Sequence, residues 1–381
     1  MIKACLGLLF SLLPVPVLAC GFFFSGISAS PTTMEAQKVL MVWKAEEIDV
    51  HVSVRAVTEG ADFSWVLPVA AAPKLALGDS AVFEALDAMT RPTIDIEQEI
   101  FTGGGESGFC GMTSDASGGA AKNGGSAPIQ VESGTLGNYE YDIVSASSVE
   151  EMLTWLEDDG YAIPEGASGA LAPYVAAKMS FVWVKLGPKT QGVSTSDLQP
   201  LILTVPRPVN SELSFPLALS AGSASPGSKM VTHLYMLADK RYRVTNYGST
   251  DLEGVADSLW EMRFDSPLYE DVLDSMTEEA GGRLMVTEFA RDLTNFATLD
   301  PAIEELIGDA SFYLTRLHAR TSPESLADAT LTFAHEAPEV APFATAKDKS
   351  GHAHLPLAVL LVLLGLLGWS NRAQAGTAPQ P

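Results

Sequence analysis

Cys5, Cys20 and Cys110 are the three thiols of this 381-residue chain, and His51, His233, His318, His335, His352 and His354 are its six imidazoles. A cysteine nucleophile needs a free, activated thiolate, and neither Cys20 nor Cys110 has a sequence setting that supplies one. Joined to each other, these two would close a loop of about 90 residues, worth at most on the order of 4.5 kcal/mol by the chain-entropy argument. Two unrelated thiols are the alternative. A metal site needs ligands converging from known offsets. His51, His233, His318 and His335 are isolated, with no helical i, i+4 partner, and His352 and His354 have no ligand neighbour in sequence.

Other chemistry fares no better. There is no Gly-x-Ser-x-Gly elbow, and Gly103 to Gly105 lacks the following Lys-Ser or Lys-Thr and the strand-to-helix setting of a phosphate cradle. Asp95, Glu97 and Glu99 share one side of an alternating stretch and could meet Ca²⁺ with help from Glu106 or Asp115. Solvated charge on a sheet edge is the plainer reading. No catalytic, cofactor or metal site is therefore expected from spacing, and the chain reads as more binding module than enzyme.

Charge narrows the partners. The chain has 47 acidic residues against 23 Lys plus Arg, and every acid lies between Cys20 and His354. Only Lys3 and Arg372 lie outside that stretch among the bases, which leaves a net charge of about −26 on the central part. Such a surface repels phosphate backbones, so nucleic acid is excluded as a partner.

The elements that must position any site begin with two apolar ends. Residues 1–19 carry one base (Lys3), an apolar run from Ala4 through Leu13, a Pro14/Pro16 break and Val17-Leu18-Ala19 before Cys20. That is the layout of a secretory signal. Prolines so placed would break a buried helix. Val-Leu-Ala-Cys also matches a bacterial lipobox in outline, with an unlipidated Cys20 favoured because a second anchor exists. That anchor is Leu355 to Trp369, uncharged and apolar on every side of a helix. Fifteen residues span only about 22 Å against a hydrocarbon core of about 30 Å, so the membrane helix is taken to 370. Residues 344–354 form a tether and 371–381 a polar tail that argues against a GPI signal. Arg372 then falls on the cytoplasmic side.

Between the ends the pattern is β-rich. Val39 to Trp43 is a continuous apolar run, while Ile48 to Val54 and Phe63 to Leu67 alternate, which predicts three antiparallel strands in a meander ended by Pro68. Asp79 or Ser80 caps a helix to about Met89, and a strand over Ile94 to Ile100 follows. Residues 103–128 are a Gly-, Ser- and Ala-rich excursion containing Cys110. Strands are then predicted at Tyr139 to Ser145, Met179 to Leu186, Leu198 to Val205, Leu213 to Leu219, Phe312 to Leu317 and Leu331 to Phe333, with a hairpin of Lys229 to Leu237 and Arg241 to Asn246. Helices are predicted from Ser147 or Ser148 through Leu156 and over Ala170 to Lys178, Val255 to Glu261 and Leu268 to Met276. Phe63-Ser-Trp65-Val and Phe181-Val-Trp183-Val hint at related halves, though aromatics in alternation are ordinarily core.

Several stretches together resemble a family of exported bacterial proteins known as domain of unknown function 2330: Cys20-Gly-Phe-Phe, Phe63-Ser-Trp-Val-Leu-Pro-Val69, Phe83 through Thr90-Arg-Pro92, Tyr313-Leu-Thr-Arg-Leu317 and Ser322-Pro-Glu324. Relatives in that pattern carry a second cysteine close behind the first, where this chain has Phe24 or Ser25, and the departure leaves Cys110 as the partner for Cys20. The resemblance implies export and a shared domain over about Cys20 to Phe343, and no activity.

The expectation is an α+β body at 20–343, antiparallel and β-rich with several short helices, exported and tethered by one C-terminal transmembrane helix. It would be a non-catalytic binding or cell-envelope interaction domain. The competing expectation is an extracytoplasmic hydrolase whose site assembles only in three dimensions.

Overall fold

The computed structural model describes residues 15–16, 21–27, 29, 31–58, 63–97, 130–186, 195–208, 213–225, 227–262, 268–308, 310–334 and 337–347. Cys20, Cys110, the excursion at 103–128, His335, the segment at 1–19 predicted as a leader apart from 15–16, and the segment at 355–370 lie outside them. Among the described residues no helix is long and apolar enough to cross a membrane.

In chain order the first strands are β1 (Val15–Pro16), β2 (Phe22–Ser25), β3 (Thr33–Trp43), β4 (Glu47–Val57), β5 (Phe63–Val69) and β6 (Lys74–Leu77). Helix α1 (Ser80–Thr90) follows, then β7 (Thr93–Ile96), β8 (Gln130–Leu136), β9 (Tyr139–Ser145), α2 (Val149–Asp158) and α3 (Ala167–Ala176). Next come β10 (Ser180–Leu186), β11 (Thr195–Asp197), β12 (Leu201–Pro206), β13 (Leu213–Phe215), β14 (Met230–Ala238), β15 (Tyr242–Val244) and β16 (Gly248–Asp251). The chain continues through α4 (Leu252–Met262), α5 (Tyr269–Glu279), β17 (Leu284–Asp292), α6 (Pro301–Ile307), β18 (Tyr313–Thr321), β19 (Ala329–Phe333) and β20 (Phe343–Ala346). The α+β class and β-rich content expected from sequence are what the fold has.

The main sheet runs β16-β17-β18-β14-β3-β4-β12-β6, with β11 also on β4. One face packs on a five-stranded sheet (β2-β5-β10-β9-β8) and a four-stranded one (β1-β13-β19-β15), through Val50, Val52, Trp65, Val184, Phe215 and Leu331 among others. The opposite face is covered in one place by α1 and α6, which bury Phe83, Leu86 and Ile303 against Leu40, Tyr235 and Phe289. Elsewhere α4 and α5 bury Val255 and Val272 against Leu284 and Val286. Helices α2 and α3 close the outer face of the five-stranded sheet over Phe24, Phe181 and Trp183. Helix, sheet, sheet and helix thus stack as four layers.

Local signals placed most elements. The side chain of Asp79 accepts from the Ala81 amide and starts α1, and Ser148 does the same for α2 with Glu150 and Glu151 in the first turn. Pairing was less legible. The meander is corrected: β3 and β4 pair antiparallel, but β5 leaves them to sit between β2 and β10. All seven residues of β5 are buried, which suits a central strand between two layers. Pro68 does not end that ladder, since it pairs with Phe181; β2 reaches only to Val66, so an edge is open where the missing N–H falls.

The hairpin of Lys229 to Leu237 with Arg241 to Asn246 is also corrected, because β14 lies between β18 and β3 while β15 joins β19. Leu213 to Leu219 turns from strand into a 3₁₀ segment at Leu217–Ser223. Pairing is not wholly antiparallel: β3 with β14, β16 with β17, β7 with β20 and β1 with β13 run parallel. Trp65 and Trp183 are both buried core, on adjacent antiparallel strands.

Candidate functional site

The helix-covered face of the main sheet carries a strip of polar side chains between α1 and α5, where an apolar face would be expected. Strand alternation sets it up. His318 of β18 is in register with His233 of β14, His233 with Lys38 of β3, and Lys38 with Ser53 of β4. Side chains at directly paired positions share a face, so these four form one row. Two residues along, on the same face, Arg316 pairs with Tyr235 and its guanidinium lies 5.6 Å from the centre of that ring.

Glu288 joins the row through a β-bulge. Val286 and Thr287 pair with His318 and Leu317, the register then slips, and Phe289 pairs with Arg316. Glu288 is the extra residue. A bulge adds a residue to one strand and re-aims side chains; this one brings a carboxylate to the helix side without turning Thr287 or Phe289 away from their partners.

The contacts are close. Glu288 is fully buried, with 0% of its surface exposed. Its Oε1 accepts from Tyr269 Oη of α5 at 2.7 Å and lies 2.6 Å from His318 Nδ1. Its Oε2 lies 2.6 Å from Arg316 Nε. Arg316 Nη1 in turn donates to Asp87 Oδ1 at 2.9 Å and to Thr90 Oγ1 at 3.1 Å, both on α1. The Thr90 hydroxyl in turn donates a hydrogen bond to the Leu86 carbonyl. A chain of hydrogen bonds and ion pairs therefore links α5 to α1 across the sheet.

Electrostatics follow from this geometry. Burial alone would raise the Glu288 carboxyl, but His318 and Arg316 outweigh it and hold the group down at about 2. Burial lowers the His233 imidazole well below its ordinary value, and the neighbouring His318 and Arg316 push the same way. Burial raises the Tyr269 phenol, reinforced by the Glu288 charge, so Tyr269 stays a donor. At neutral pH the site holds an ionised carboxylate against a guanidinium, beside a neutral His233.

Two imidazole nitrogens are left over. The rings of His233 and His318 stack at 4.4 Å, tilted by 23°. His233 Nδ1 and His318 Nε2 are both buried without a hydrogen-bond partner. One donor atom from each of His233, Glu288 and His318 lies within 4.8 Å of the others, a set of two imidazoles and one carboxylate suited to a transition metal.

Beside the strip opens a cleft of about 740 Å³, reached by Lys38 and Ser53 and lined also by Asp79, Ser80, Glu84 and Gln199. Its volume is of small-ligand size. Glu288, His233 and His318 are not in its lining.

Of the residues singled out from sequence, His233 and His318 are brought together, 85 positions apart, by strand register and not by helical spacing. His51 is buried on β4 with neither nitrogen hydrogen-bonded. Asp95 and Glu97 are exposed at or beside the short β7, while Glu99, Glu106 and Asp115 lie outside the described residues, as do Cys20, Cys110, His352 and His354. Glu288, Arg316, Asp87 and Tyr269 were not foreseen. The available signal was a lone acid in an apolar run, Leu284-Met-Val-Thr-Glu-Phe-Ala, since a charge in such a strand must find a partner.

No curated protein and no solved structure gives a significant match to the chain. A family profile does, across residues 14–332, which takes in every strand from β1 to β18, nearly all of β19, and the whole polar strip. The chain belongs to the bacterial family described as uncharacterized protein conserved in bacteria (DUF2330).

Proposed function

We propose that this chain is an exported, membrane-tethered binding domain of the bacterial cell envelope. Leader-like residues 1–19, the apolar segment Leu355 to Trp369 and the confinement of all acids between them support the location. The reading of binding in place of catalysis is carried by one observation: the charges of the buried strip are spent on each other. Glu288 is held by Arg316, His318 and Tyr269, and its low proton affinity makes it a poor general base near neutral pH.

A hydrolase remains the competing reading because the Glu288–His318 pair has the form of an oriented base. What it lacks is a nucleophile. Among the described residues no hydroxyl or thiol is hydrogen-bonded to either His233 or His318.

Two measurements test the proposal. Protease shaving of intact cells and membrane fractionation should place the body outside the cytoplasmic membrane and in the membrane pellet; recovery of the uncut chain in the soluble cytosol overturns the location. Full-length protein in detergent should turn over none of a panel of chromogenic ester, phosphate and glycoside substrates. Turnover abolished by His318→Ala would establish the hydrolase instead.

A further inference from the structure

We propose that His233 and His318 bind a transition-metal dication of the Zn²⁺ type, with Glu288 as the carboxylate that orients His318. The site is internal to the described fold, so the assignment holds whether or not the chain is tethered.

The first observation is the pair of orphaned nitrogens. A buried polar atom without a partner costs on the order of 1–3 kcal/mol, and here two of them, His233 Nδ1 and His318 Nε2, occur on stacked rings. A single metal ion would satisfy both. The second is the hydrogen bond from His318 Nδ1 to Glu288 Oε1 at 2.6 Å. With the carboxylate as acceptor Nδ1 is the donor, and in the neutral imidazole that metal binding requires the lone pair falls on Nε2, the arrangement in which a carboxylate fixes the tautomer of a metal-binding histidine. Tyr269 and Arg316 hold that carboxylate in turn.

Distances allow it. The two rings lie 4.4 Å apart between centres and one ring nitrogen of each lies within 4.8 Å of the other, while two ligands on a tetrahedral ion with bonds of about 2.1 Å lie roughly 3.4 Å apart. Because the lone pairs lie in the ring planes and the rings are tilted by only 23°, binding would turn the two imidazoles toward each other so that both meet one ion.

Charge decides which metal. Glu288 and Asp87 are opposed by Arg316, with Arg91 on Asp87 and Lys38 beyond His233 as further cations. The strip therefore offers little net negative field to draw in Ca²⁺ or Mg²⁺, which need several oxygen ligands. Neutral imidazole nitrogens favour Zn²⁺, Cu²⁺ or Ni²⁺. The open coordination positions would be left to water or to a ligand.

The test is calorimetric titration of full-length protein, stripped with chelator, with ZnCl₂ and separately with CaCl₂. One equivalent of Zn²⁺ should bind and Ca²⁺ should not. His233→Ala and His318→Ala should each abolish that binding, and Glu288→Gln should weaken it roughly 10- to 100-fold. A His352→Ala/His354→Ala double variant, which removes the imidazoles near the C-terminus, should bind as the parent does; loss there overturns the assignment. Zinc-edge X-ray absorption of the unmodified protein guards against variants that fail to fold. Two imidazole ligands are expected, and fewer than two, or no stoichiometric Zn²⁺ uptake, overturns it.

Discussion

Glu288 meets His318 at 2.6 Å from a bulged position, so an extra residue in β17 brings its carboxylate against an imidazole of the neighbouring strand. The same carboxylate faces Arg316 at 2.6 Å with no exposed surface. Removing one member of a buried ion pair typically costs about 3–5 kcal/mol, because its partner is left charged and unpaired. Glu288→Gln keeps the shape and removes the charge, while Asp87 still faces Arg316. A loss near the lower end, about 3 kcal/mol, is therefore expected in urea unfolding. Tyr269→Phe removes one donor to the same oxygen and should cost less, about 1–2 kcal/mol. A Tyr269→Phe variant that loses more than Glu288→Gln would contradict the assigned order.

Acid should release the same centre. The folded Glu288 carboxyl is lowered from 4.5 to about 2. A depressed carboxyl contributes stability that is fully present above its unfolded value and is lost as pH falls through its folded value. The loss should thus run from about pH 4.5 down to about pH 2, and Glu288→Gln should show a shallower fall over that window. Equilibrium unfolding at several pH values measures the difference in slope.

His51 makes a separate contribution at milder pH. Burial lowers its imidazole from 6.5 to about 4, against the opposing pull of Asp49. The unfolded chain then binds a proton that the folded one refuses, so stability falls as pH drops from about 6.5 to about 4 and is level above that range. Over the full window a shift of this size corresponds to about 3 kcal/mol. His51→Leu also removes two buried nitrogens that lack partners. The variant should be at least as stable as the parent at pH 5 and should lose that part of the pH dependence. A slope unchanged between pH 6.5 and 4 would show that His51 is not the titrating group.

These cases divide what the sequence carried from what it did not. Strand and helix positions followed from alternation and caps: Tyr139–Ser145 matches its expected span, and α1 starts at the Asp79 cap. Pairing did not follow, because it is decided by which faces can be buried together. The three-residue β15 lay next in line to β14 yet joins β19 in another sheet, where Tyr242 and Val244 complete the core. The candidate site suffered most. His233 fell inside an expected strand and His318 one residue past the expected end of another, Phe312 to Leu317, which the structure extends to Thr321; their contact depends on two strands meeting across 85 residues, and helical spacing rules are blind to that. Glu288 sat in a strand that had not been assigned, Leu284–Asp292, and reached the site by a bulge, which has no reliable signature in a single sequence.

Two glycines provide opposite tests of the packing, one just before β2 and one on the far helix layer. A Cβ on Gly21 would lie 2.0 Å from Trp65 Nε1 and 2.6 Å from the Val66 carbonyl oxygen. Trp65 is buried and the carbonyl belongs to a central strand, so neither can yield cheaply. Gly21→Ala should destabilise by about 1–3 kcal/mol, as overpacked cores do, and should shift tryptophan emission as the Trp65 indole is displaced. Gly169, exposed within α3, has nothing near its would-be Cβ. Gly169→Ala should gain up to about 1 kcal/mol, because alanine gives up less backbone freedom in a helix. A urea midpoint for Gly21→Ala that does not fall would mean that the close contact between Gly21 and Trp65 does not constrain the fold.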